Sequence, residues 1–248
     1  MVSEFWRRVP LSLHPDNIAA FDGVDDDTRV FIAPATEALT AAHTCLGSIY
    51  DYREAAFSDP TLTEPAALLK ADDYAMAKLE GVTRQLDGAI ARFTTTIKSL
   101  ESDLSASVKE QAGKMVSGEV RALMQKSPDR VGLLEKAVGD KDLDVLNAVC
   151  GAPPMLSGLS KEMHAHFTRL YNEMTKPEAT KRLKALTAAR DYLERHGPQV
   201  LKEPIKAVGV IQIPIPGPEG KTLGYRTEGP DAYRKKRNAS VKVYRQHA

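Results

Sequence analysis

From Leu79 onward, apolar side chains recur at Leu79, Leu86, Ile90, Phe93, Ile97, Leu100, Leu104 and Val108, with Thr83 in the one missing slot. Steps that alternate four and three keep every one of these positions on a single helical stripe. No proline interrupts the chain between Pro65 and Pro128, so the spacing predicts one very long helix over about 66–126. At about 1.5 Å of rise per residue, such a helix would be ~90 Å long. After Leu100 three successive four-residue steps relax the heptad, and Gly113 and Gly118 mark the place to expect a bend.

Two other segments carry matching stripes. Leu39, Ala42, Leu46, Ile49 and Arg53 are spaced three, four, three, four after Pro34. Leu159, Met163, Phe167, Leu170 and Met174 are followed, past a capping-box signal at Thr175-Lys-Pro-Glu178, by Leu183, Leu186, Ala189 and Leu193, and His196-Gly197-Pro198 reads as a stop. Between them, residues 128–158 hold two short helices, near 129–138 and 141–150, that form a knuckle. The fold class expected is therefore all-α: an elongated antiparallel helical bundle over 35–197 with one very long helix.

The flanks lack this periodicity. Pro10, Pro15 and Pro34 and the acidic turn at 22–27 predict an extended, acidic N-terminal arm over 1–34. Six of the 15 prolines lie from Pro198 onward, which predicts a non-helical, Pro/Gly-rich C-terminal arm over 198–248. An edge strand is expected near 207–213, because Pro214 and Pro216 exclude a central one, and a basic tail follows it.

Charge changes the picture more than composition does. The whole chain carries only +1, yet residues 1–60 hold four Arg against ten Asp/Glu, net −6, and residues 221–248 hold eight Lys/Arg against two acids, net +6. Oppositely charged ends suit the capture of other protein subunits, in a homo-oligomer or a multi-protein assembly. The candidate interaction residues are Tyr233, Arg234, Lys235, Lys236, Arg237, Lys242, Tyr244 and Arg245 at one end and Asp25, Asp26 and Asp27 at the other. Cations flanked by aromatics also suit phosphates and stacked bases, so nucleic acid is the alternative partner for the C-terminal arm.

Catalytic and cofactor signals are weak throughout. Gly217-Pro-Glu-Gly-Lys-Thr222 ends like a phosphate-binding loop but has Ile215 where the pattern needs glycine. Glu162 and His166 are one helical turn apart, with no Cys/His pair to complete a metal site. Asp72-Asp73 reads as a solvated charged face. Cys45 and Cys150 read as small buried residues of a reduced compartment. The sequence predicts no enzyme, no cofactor and no metal, no membrane span, and synthesis in the cytoplasm.

The helix–Gly151-Ala-Pro-Pro-Met-Leu-Ser-Gly-Leu-Ser160–helix arrangement with extended arms resembles uncharacterised helical structural proteins of tailed-phage virions, over roughly the middle third of the chain. That resemblance implies a non-enzymatic structural or assembly protein, a virion component whose terminal arms bind neighbouring subunits.

Overall fold

The computed structural model of the chain describes residues 9–21, 23–112, 117–218 and 221–246. It is mostly helical, 81% by residue, with one small two-stranded sheet. The helices are α1 (Asp26–Ser58), α2 (Glu64–Ala112), α3 (Ser117–Lys126), α4 (Arg130–Gly139), α5 (Leu143–Cys150), α6 (Lys161–Thr175), α7 (Pro177–Val208) and α8 (Pro230–Gln246). Strands β1 (Ile211–Pro216) and β2 (Thr222–Glu228) lie between α7 and α8. The chain divides into two compact units. The first comprises Met1–Ala19, Ala33–Ile90 and Asp191–Ala248, and the second Ala20–Ile32 and Ala91–Arg190.

The first unit is built on the stripes of α1, α2 and α7. Leu39, Leu46 and Ile49 of α1, Leu68, Ala71, Val82 and Leu86 of α2, and Leu193 and Val200 of α7 are all buried. Tyr52 and Tyr74 stack face to face, ring centroids 4.0 Å apart. At the end of α7, Gly209 takes a left-handed φ of 75° and donates its N–H to Ile205, 3.0 Å away. Arg53 Nε donates to the Val208 carbonyl at 2.8 Å, so two of the carbonyls left open by the helix end are satisfied.

The second unit has α5 at its centre, packed against α3, α4 and α6. Leu146 through Cys150 are all buried, and Leu146 and Val149 join Met124, Leu134, Phe167 and Tyr171 in one core. Short helices depend on their caps. Asp129 accepts from Gly132 N–H at 2.9 Å, Asp142 from Val145 N–H at 3.1 Å and Ser160 from Met163 N–H at 3.2 Å.

Both arms differ from the sequence reading. Residues 11–13 and 15–20 form 3-10 turns with Leu13 and Ile18 buried. They are tied to α7 where Ser12 Oγ donates to Gln199 Oε1 (2.6 Å) and Tyr192 OH donates to the Ser12 carbonyl (2.6 Å). Helix α1 starts at Asp26 and runs through Pro34, so the 1–34 arm is not extended over residues 26–34. The stripe explains this: Thr28, Ile32 and Ala35 are buried and continue the four–three alternation of Leu39, Ala42 and Leu46 backward. Asp25 and Thr28 close a reciprocal capping box, Asp25 Oδ1 accepting from Thr28 N–H at 3.0 Å and Thr28 Oγ1 from Asp25 N–H at 2.8 Å.

The 198–248 arm is not non-helical either. Helix α7 holds Pro198 and Pro204 inside it, because Val200, Pro204 and Ala207 keep the buried stripe going and that burial outweighs the helix penalty of proline. The expected edge strand lies at 211–216 rather than 207–213 and pairs antiparallel with the chain's own β2. With one partner per strand, a missing N–H at Pro214 or Pro216 is tolerated. Residues 113–116, where a bend in the long helix was expected, lie outside the described residues, as do Asp22, Glu219 and Gly220.

Candidate interaction surface

The hairpin and α8 form the surface on which most of the sequence-predicted interaction residues fall. Hairpin register pairs Ile211 with Glu228, Ile213 with Arg226, Pro214 with Tyr225 and Ile215 with Gly224. Among its described residues only Ile211 is buried, while Ile215, Leu223 and Tyr225 are exposed. The turn closes with Gly217 N–H donating to the Lys221 carbonyl at 2.7 Å. A Cβ on Gly217 would come within 2.8 Å of that carbonyl and 2.6 Å of Leu223 Cγ, so the glycine that resembled part of a phosphate-binding loop serves a close turn approach.

Helix α8 has no buried residue, and its basic run divides into two groups. Tyr233, Arg234 and Lys236 anchor the helix. Arg234 pairs with both Asp72 and Asp73 of α2, and these carboxylates hold the guanidinium firmly charged. Lys236 pairs with Glu228 and lies 5.0 Å from the Tyr233 ring. That ammonium lowers the Glu228 carboxyl, while desolvation raises the half-buried Tyr233 phenol. The second group, Lys235, Arg237, Lys242 and Arg245, is exposed and has no ion pair among the described residues. Tyr244 stands exposed among them. Residues 235–246 carry five cations and no acid.

The acidic residues belong to the second unit and serve different ends. Asp25 is committed to its capping box and to an ion pair with Lys181, which lowers its carboxyl to about 2, the Lys181 hydrogen bond being the main cause. Asp26 pairs with Arg29 at 3.2 Å, and Asp27 is exposed. The sequence reading missed Asp72 and Asp73 as the seat of Arg234. A pair of adjacent acids on α2 looked like any charged helix face, and its partner lies more than 160 residues away in sequence.

Among the described residues no cluster of three or more His, Cys, Asp or Glu could hold a metal ion, and no helix is long and apolar enough to cross a membrane. The class defined by these features is a mostly helical chain in which a small hairpin is followed by an exposed cationic helix. Comparison with known proteins places it no more narrowly: no protein-family model, no curated protein and no solved structure matches the chain.

Proposed function

We propose that this chain is a non-enzymatic assembly protein that docks onto a neighbouring protein subunit through its C-terminal hairpin and α8, the role implied by its resemblance to structural proteins of tailed-phage virions. The observation that carries the proposal is the state of α8. It is a 17-residue helix with no buried side chain, anchored at its start by Arg234 and presenting beyond that anchor four cations with no ion pair among the described residues. A helix of this length has little intrinsic stability in water, and an acidic surface on a neighbour would supply what its own chain does not. The exposed Leu223 and Tyr225, two residues apart on β2, would add apolar contact to the charge.

The test is sedimentation of the purified chain, alone and with its co-purifying subunits, across a salt series. The expected result is an assembly that weakens as salt rises and is lost when Lys235, Arg237, Lys242 and Arg245 are all changed to Glu. A chain that stays monomeric and partnerless at low salt, or an assembly that the quadruple variant leaves intact, overturns the proposal. Exposed Tyr244 among these cations favours one second reading, nucleic-acid binding by phosphate neutralisation and base stacking. Fluorescence anisotropy with a labelled oligonucleotide separates the two, since only the second calls for binding to the oligonucleotide, falling steeply with salt.

A further inference from the structure

A separate feature lies in the second unit, independent of α8. Residues of α2, α5, α6 and α7 surround an open cavity of about 560 Å³, a volume typical of small-molecule sites. Leu104, Val108 and Leu183 make its wall apolar. Thr180 also lines it, and that residue is only 4% exposed, yet its Oγ1 has no hydrogen-bond partner among the described residues. Buried hydroxyls are almost always partnered, so an orphan on a residue that lines a cavity marks a place where a bound molecule would supply the missing bond. At the rim stand two exposed cations, Arg169 and Lys109. The Arg169 guanidinium is steadied by His166 Nδ1 at 3.1 Å, and Glu101 is the single acid among the described lining residues.

We propose that this cavity binds a small amphipathic carboxylate, its apolar body against Leu104, Val108 and Leu183, its carboxylate at Arg169 and Lys109, and a hydroxyl or carbonyl of the body opposite Thr180. A guanidinium fork matches a carboxylate in shape as well as charge. The site is built for binding rather than for nucleophilic attack. Cys150 lines it too, but burial pushes its thiol up to about 11, leaving almost no thiolate at neutral pH. The nearby His164 is held by its other contact: its Nε2 lies 2.9 Å from the Ala152 carbonyl, which can only accept, so Nε2 carries the proton and the ring is fixed in that tautomer.

The experiment uses the full chain with two probes, 3-phenylpropionate and 3-(4-hydroxyphenyl)propionate, followed by calorimetric titration and thermal melting. Saturable one-to-one binding with a rise in Tm is expected, tighter for the hydroxylated probe. Arg169→Gln should weaken both probes about tenfold, the loss of a charge-assisted contact. Thr180→Val should erase the difference between them. Ala165→Trp, at an exposed lining position where a large side chain fills the opening without disturbing the core, should abolish binding. Absence of binding up to about 10 mM, a range that covers even weak fragments, overturns the proposal. So does binding that survives Ala165→Trp.

Discussion

Replacing Arg234 with alanine should release α8 without unfolding the protein. The Arg234 side chain is 28% exposed, and its two partners differ: Asp72 is 18% exposed and Asp73 58%. A fully exposed pair is worth about 0–1 kcal/mol, and a charge-assisted hydrogen bond in a partly buried setting about 1.5–3 kcal/mol. With one sheltered and one open partner, roughly 1.5 kcal/mol is a fair sum. Because no side chain of α8 is buried, that loss should fall on local opening of the helix rather than on global stability. About 1.4 kcal/mol is tenfold in an equilibrium, so amide protection over 231–246 should fall about tenfold in hydrogen exchange. Tm should barely move. Asp72→Asn should reproduce most of the effect and Asp73→Asn little of it, and the Arg234–Asp72 double-mutant cycle should show coupling. Unchanged protection of α8 in Arg234→Ala, or a collapse of Tm, would refute the reasoning.

Four further outcomes follow from the packing and the charges. Leu146→Ala, at a fully buried position at the centre of the second unit, should cost about 2–5 kcal/mol by urea denaturation. Gly209→Ala, at a φ of 75°, should cost about 1–2 kcal/mol, since a side chain there is strained, whereas Pro198→Ala inside α7 should raise Tm by restoring a helical N–H. The Asp25 carboxyl is lowered to about 2 in the folded chain, so its contribution is complete above the ordinary carboxylate pKa and is lost as pH falls from about 4 towards 2. Asp25→Asn should therefore lower Tm at pH 7, and the gap from the unaltered chain should close over that acidic window.

The stripes at 39–53 and 79–108 could be read from sequence because burial there follows helical spacing with no competing signal. Where prolines compete, at Pro34, Pro198 and Pro204, local propensity pointed to arms. Tertiary burial of Ile32, Val200 and Ala207 decided for helix. Helix α8 was illegible for a different reason: it has no apolar stripe to detect, and its anchor is an ion pair with residues far away in the chain. Strand β1 showed its β-branched run, but β2, Thr222–Glu228, has glycine and charge in place of a pattern, and its identity comes from pairing. The cavity in the second unit draws Lys109, Arg169 and Thr180 from three helices, a convergence that spacing along the chain does not encode.

The two cysteines fall one in each unit, Cys45 in the first and Cys150 in the second. Both are buried, and burial raises both thiols, so each is protected sterically and chemically from alkylation in the native fold. They are thus a matched pair of built-in reporters. The rate at which iodoacetamide marks each one, resolved by peptide mass, measures how often its own half of the molecule opens, without any label having been introduced.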